Sequence, residues 1–139
     1  MLVCDTSGLL AYFDASDRHC AQVSAVVDVD PGPFVVSPYV VAELDYLLAT
    51  RRGVEAELTV LAELTGGAWE LARIDTADLR EICEVVGRYR DQDIGVADAS
   101  LVVLAHRYRT DRLLTLDYRH FRVIRTRGGA AFTVLPDAL

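Results

Sequence analysis

Residues 1–13 read MLVCDTSGLLAYF, and the order of residue types within them decides the fold class. A short apolar run, LVC, ends in an acid, Asp5. Thr6 and Ser7 follow, both good helix N-cap residues, and GLLAYF then has helical character. The stretch reads as a strand running into a helix with a carboxylate at the junction.

The same alternation continues along the chain. A second helix is expected from about Arg18 to Val27, then a proline- and glycine-rich loop over 28–33 and a short strand, FVVS, at 34–37. Pro38 suits a first helical turn with Ser37 as its cap. Val40, Val41, Leu44, Leu47 and Leu48 share one stripe at 100° per residue, with Glu43 on one edge and Asp45 on the other, so only one of these acids can face a common site. VEAELTVLAEL (54–64) is helical and stops at Gly66-Gly67. AWELARI (68–74) reads as a third strand, and TADLREICEVVGRYR (76–90) as a helix capped by Asp75 or Thr76. The helix of DQDIGVADASLVVL (91–104) ends near Arg109. LLTL (113–116), Asp117, a YRHF turn, a Gly128-Gly129 break and a last strand, FTVLP (132–136), complete the chain. The alternation predicts an α/β fold, a central mainly parallel β-sheet flanked by helices, spanning 1–139 as one domain. In such sheets ligands bind beyond the carboxyl ends of the strands.

Composition narrows the chemistry. All 14 basic residues are arginine. With no lysine, Schiff-base chemistry, P-loop phosphate binding and phospho-receiver chemistry are excluded. The three cysteines, Cys4, Cys20 and Cys83, are scattered, which argues against a disulfide framework or a zinc site. No apolar run reaches the roughly 18 residues of a membrane span, and the N-terminus lacks the pattern of a secretory signal, so a cytoplasmic protein is expected. The net charge of −7 is uneven: residues 1–100 hold 7 basic and 18 acidic side chains (−11), residues 101–139 hold 7 and 3 (+4).

Four acids stand where sites form. Asp5 and Asp117 end strand-like runs, Glu43 edges an apolar helical stripe, and Asp98 shares a helix face with Leu101, Val102 and Ala105, with small residues around it. Taken singly, Asp5 can equally cap a helix, Glu43 can be a solvated edge residue and Asp117 a turn residue; their joint placement is the signal. Two carboxylates about 4 Å apart repel by roughly 1 kcal/mol in water and about 4 kcal/mol at an effective dielectric of 20. A converging cluster must therefore take up protons or bind a cation, and oxygen-only ligands favour a hard ion, Mg²⁺ or Mn²⁺.

LVCDTSGLLAYF, VVSPYVVAELDYLL, DIGVADASLVVLA and LLTLDYRHF together resemble the four signature segments of PIN-domain ribonucleases, in order and over nearly the whole chain, and are most similar to VapC-type toxins of toxin-antitoxin pairs. The resemblance implies a PIN-like domain whose catalytic, metal-binding centre is Asp5, Glu43, Asp98 and Asp117, with Thr6, Ser7 and Thr115 as supporting polar groups; Asp91 and Asp93, just before the third segment, are acids beyond the family's pattern. It implies Mg²⁺-dependent endoribonuclease action, Mn²⁺ substituting, on a structured RNA loop in tRNA or in the sarcin-ricin loop of large-subunit rRNA. VVSPYVVAELDYLLATRRG and GGAWEL resemble the subgroup with the ribosomal target. It further implies neutralisation by a VapB-like antitoxin, a homodimer and a toxin-antitoxin hetero-oligomer. Apolar helix surface in 38–50 and 54–64 is in keeping with a dimer, or is simply core.

The arginines at 107, 109, 112, 119, 122, 125 and 127 surround Asp117 in sequence and suggest a basic rim that partly resolves the paradox of an acidic nuclease; solvated surface positions are the alternative. Arg112, Tyr118, Arg119, His120 and Arg122 are the candidate RNA contacts. Two other classes compete. A phosphatase is disfavoured because D-T-S lacks the D-x-D-x-T arrangement and no lysine exists to bind a phosphoryl group. A non-catalytic PIN-like module that only binds a partner would lose acids, and all four are present.

Overall fold

A computed structural model describes residues 1–137; the last two residues of the expected 1–139 domain lie outside the described residues. Five strands form one sheet: β1 (Leu2–Cys4), β2 (Phe34–Val36), β3 (Trp69–Leu71), β4 (Arg112–Leu114) and β5 (Thr133–Leu135). Their order is β3-β2-β1-β4-β5, and every pairing in it is parallel. Seven helices connect them among the described residues: α1 (Thr6–Phe13), α2 (Cys20–Val29), α3 (Pro38–Arg52), α4 (Val54–Leu64), α5 (Thr76–Arg88), α6 (Val96–Arg107) and α7 (Tyr118–Phe121). The α/β expectation holds, and "mainly parallel" becomes all parallel, apart from an isolated antiparallel bridge between Arg125 and Ala131 outside the strands.

Strands β1, β2 and β4 are almost wholly buried, as near-continuous Val/Leu runs with helices on both faces demand. α6 lies deepest of the helices: its eight residues Ala97 and Ala99 to Ala105 are buried, and it packs on β1, α3 and α5. Trp69 anchors an aromatic cluster with Tyr12, Phe13 and Phe34, ring centroids 5.3–5.7 Å from its own. Val40, Leu44 and Leu48 of α3, and Val60 and Leu64 of α4, are core, whereas Tyr46, Val54 and Leu58 stay exposed. The apolar stripes of these two helices are thus mostly interior, with a smaller outward remainder.

Element ends differ from the sequence reading where side-chain caps decide them. α1 starts at Thr6 because Asp5 caps it, not Thr6 or Ser7. α2 extends to Val29, so the loop begins at Asp30. Asp75 caps α5 in a reciprocal box with Asp78. α6 begins at Val96, which places Asp98 in its first turn.

At the amino edge of the sheet, the buried Asp30 side chain accepts hydrogen bonds from the Met1 amino group at 2.7 Å, Gly32 N–H at 2.8 Å and Arg112 at 3.0 Å. Burial works against its charged form, but these donors hold the carboxyl below the usual carboxylate range. An acid held low stabilises the fold above its unfolded pKa and loses that contribution as pH falls through the folded value. Asp30→Asn should therefore cost about 2 kcal/mol at neutral pH and flatten the acid-induced loss of stability below roughly pH 4. Urea midpoints at neutral and acid pH check both.

Candidate active site

The strand order fixes where a site can form. From β1 the chain adds β2 and β3 on one side, then crosses to add β4 and β5 on the other, so its direction reverses between β1 and β4. The crevice beyond the carboxyl ends of those two neighbours is the switch point of an open parallel sheet. Asp5 follows β1, and Thr115 and Asp117 follow β4.

A cavity of about 360 Å³ opens there, lined by Asp5, Glu43, Asp98 and Asp117 together with Thr6 and Ser7. Asp5 is the most enclosed of the four acids. Its Oδ1 accepts from Thr6 N–H at 2.8 Å, and its Oδ2 accepts from Thr115 Oγ1 at 2.7 Å and Ser7 Oγ at 3.2 Å. Thr115 Oγ1 in turn accepts from Asp117 N–H at 2.9 Å, and Ser7 Oγ from Leu116 N–H at 2.9 Å. One hydroxyl thus ties the acid after β1 to the acid after β4. Burial pushes the Asp5 carboxyl above the usual range, while these hydrogen bonds pull it back.

α6 is registered against α3 by two buried hydroxyls. Ser100 Oγ lies 2.8 Å from Ser37 Oγ, whose side chain caps α3 by accepting from Tyr39 N–H at 3.2 Å. That contact ties α6, which carries Asp98, to the start of α3, which carries Glu43, and both acids line the cavity. Asp98 carries the largest consequence: burial first, then the charges of Asp5, Asp117 and Glu43, push its carboxyl up to about 7, with His120 pulling the other way.

His120 is placed by its helix. Asp117 caps α7, accepting from His120 N–H at 3.1 Å, and the imidazole Nδ1 lies 2.7 Å from Asp117 Oδ2 and 3.7 Å from Asp98 Oδ2. Burial disfavours the imidazolium, but Asp117 and then Asp98 outweigh it and raise the His120 pKa. Asp98, Asp117 and His120 offer ligand atoms all within 4.8 Å of one another. Thr6 also lines the cavity, and its buried hydroxyl has no hydrogen-bond partner among the described residues.

A sequence profile for the PIN domain matches residues 2–125. Ribonuclease VapC26 of Mycobacterium tuberculosis (strain ATCC 25618 / H37Rv) is 58% identical over 135 residues, covering 97% of this chain and all of that protein. This chain belongs to the PIN-domain family, among its VapC proteins. The crystal structure of M. tuberculosis VapC20, a sarcin-ricin loop cleaving toxin, superposes with a TM-score of 0.79 at 18% identity, covering 86% of this chain and 92% of that one.

Within this PIN domain the four acids named from sequence come together, as do Thr6, Ser7 and Thr115. The candidate RNA contacts divide. His120 joins the acids instead of facing outward. Arg119 and Arg122 are exposed on and just after α7. The Tyr118 hydroxyl donates to Pro136 O at 2.8 Å and so holds the segment after β5. Arg112 is not brought to the cavity: it starts β4, pairs with Asp30 and lies at the opposite edge of the sheet. Three more of the arginines named from sequence are also held away from the cavity. Arg107 pairs with Asp78 at 2.7 Å and Arg127 with Glu81 at 3.0 Å, and Arg109 lines a separate hollow with His106 and Asp111. Asp91 and Asp93 are exposed in the turn before α6 and do not line the cavity. The sequence reading missed Arg51, which does line it; its spacing of eight from Glu43, two helical steps of four, was the available signal.

Proposed function

We infer that this PIN domain is a metal-dependent endoribonuclease, the toxin of a type II toxin-antitoxin module. It cuts a structured RNA loop, in the sarcin-ricin region of large-subunit rRNA or in tRNA, and so inhibits translation. A VapB-like antitoxin neutralises it, and it works as a homodimer within a toxin-antitoxin hetero-oligomer. The observation that carries this reading is the convergence of Asp5, Glu43, Asp98 and Asp117 on one cavity at the β1/β4 switch point. The names of the relatives, a ribonuclease and a sarcin-ricin loop cleaving toxin, support it.

The residues fit a hard divalent ion, Mg²⁺ or in its place Mn²⁺. The donors are chiefly carboxylate oxygens, and Asp98 faces the charges of Asp5, Asp117 and Glu43 across one cavity, a grouping that a cation would offset. Asp5, Asp98 and Asp117 would hold the ion, with Glu43 at the rim. When bound, it supplies Lewis-acid stabilisation of the phosphate and a more acidic water.

The chain's own residues do the rest. Ser7 and Thr115 fix the rotamer of Asp5, and His120 fixes Asp117. Glu43 faces the same cavity without an ion pair among the described residues and is the carboxylate available to take a proton from the attacking water. The water oxygen joins phosphorus, the bond to the 3′ oxygen breaks, and that oxygen gains a proton, leaving a 5′-phosphate and a 3′-hydroxyl.

The test incubates antitoxin-free protein with total bacterial RNA and ribosomes in Mg²⁺ or Mn²⁺ and maps new 5′ ends, beside an EDTA arm and an Asp5→Ala/Asp98→Ala protein. One dominant cut lost in both controls is expected. No cut in any condition, with the fold intact, would leave a partner-binding module without catalysis. Thr115→Val, which removes the hydroxyl joining Asp5 to Asp117, should lower the cleavage rate by ~10- to 100-fold, and Thr115→Ser should restore most of it; initial rates on the mapped RNA decide.

A further inference from the structure

α3 runs past the acid cavity and presents Glu43, Leu47 and Arg51 to it, residues four apart and therefore on one helix face. Arg51 is the one Arg, Lys or His side chain lining that cavity among the described residues. It is exposed and forms no ion pair among them, whereas its neighbour Arg52 is bound to Asp14 at 2.7 Å and to Ser16. Of the seven arginines expected from sequence to rim the site, three are engaged elsewhere, Arg112 with Asp30, Arg107 with Asp78 and Arg127 with Glu81, and Arg119 and Arg122 are exposed on and just after α7 without lining the cavity.

An RNA strand entering a hollow walled by four acids needs a fixed positive group outside the carboxylates that hold the ion. We propose that Arg51 is a phosphate-binding residue of this site, gripping a phosphate next to the scissile one and so laying the strand across the acids. The proposal rests on the ribonuclease reading above. Eight residues of helix separate Glu43 from Arg51 by about 12 Å along the axis, so the guanidinium meets a neighbouring phosphate and not the reacting phosphorus. Its planar fork can take two phosphate oxygens at once, which fixes orientation as well as charge.

The test compares wild type, Arg51→Gln, Arg51→Lys and Arg52→Gln in two assays. One is multiple-turnover cleavage of a fluorescein-labelled RNA hairpin carrying the mapped cut site, or the sarcin-ricin loop if none is mapped. The other is equilibrium binding of that hairpin by anisotropy in Ca²⁺ over a range of salt. Arg51→Gln should raise KM and weaken binding about tenfold, with a smaller effect on kcat, and reduce the slope of log affinity against log salt by about 0.7. Arg51→Lys should keep the slope and recover part of the affinity, and Arg52→Gln should match wild type. Unchanged KM, affinity and slope in an Arg51→Gln protein whose parent cuts would overturn the proposal and leave the ribonuclease reading standing. Arg51-dependent binding without cleavage by wild type would do the reverse. Wild type that neither binds nor cuts would remove both.

Discussion

Asp98→Asn should lower RNA cleavage by ~10³-fold or more while making the metal-free protein more stable. The two effects share one cause. Asp98 stands within reach of the charges of Asp5, Asp117 and Glu43 in a partly buried cavity, and its carboxyl is pushed up to about 7. A full charge facing a bound cation at about 4 Å is worth roughly 4 kcal/mol at an effective dielectric of 20, which is about a thousandfold in rate. The amide keeps the shape and loses the charge.

Stability runs the other way. A carboxyl raised in the folded state leaves the protein unpenalised below the unfolded pKa, and stability falls as pH rises through the folded value. Without metal, wild type should therefore weaken from about pH 4 to above pH 7 by on the order of 2–4 kcal/mol from this group. Asp98→Asn escapes that loss and should melt roughly 5–10 °C higher at alkaline pH, with the two proteins converging at acid pH. Melting curves in EDTA across this range check the sign. A variant that cuts like wild type, or melts lower at alkaline pH, would remove Asp98 from the site.

The acids were legible because strand polarity is legible. LVCD and LLTLD each end an apolar run in an aspartate, and a parallel sheet sends the carboxyl ends of its strands to one edge. The same rule, applied to residues before a strand, explains why Arg112 was misplaced. Five residues from Asp117 in sequence, it begins the strand that Asp117 follows, so the length of β4 separates them. Arg107 and Arg127 pair with acids of α5, an element that no local window of sequence brings beside them. Arg51 escaped because the α3 stripe was traced by its apolar members and stopped at Leu48. The polar face reads Glu43, Leu47, Arg51 only once the helix is known to run its full length to Arg52. His120 was named from sequence as an RNA contact, yet a helix as short as α7 returns residue i+3 to its own cap, Asp117. Which acids share one hydroxyl, Thr115, is a property of the β1/β4 pairing and has no local signature.

Gly8→Ala should be among the most destabilising single-methyl changes in the protein. α1 crosses the end of β4 so closely that a Cβ on Gly8 would lie 2.6 Å from the Leu114 carbonyl oxygen and 2.9 Å from its carbon. Those are backbone atoms of a buried strand, so relief requires the helix to lift away from the sheet. In an ordinary helix position alanine would gain about 1 kcal/mol over glycine. Here overpacking of 1–3 kcal/mol or somewhat more reverses the sign, and the melting temperature should fall by roughly 5–10 °C. The site should suffer beyond the fold. The Leu114 carbonyl accepts Asp5 N–H at 2.9 Å, and Thr115, the next residue, holds the Asp5 carboxylate. Lifting α1 by even a fraction of an ångström separates the acid after β1 from the acid after β4. Misplacement on the order of 1 Å costs about 100-fold in rate, so cleavage measured well below the melting temperature should drop by one to two orders of magnitude. Gly8→Ala protein that melts and cuts like wild type would show that the helix can yield at this crossing without moving Asp5, and the coupling of close packing to carboxylate placement would have to be given up.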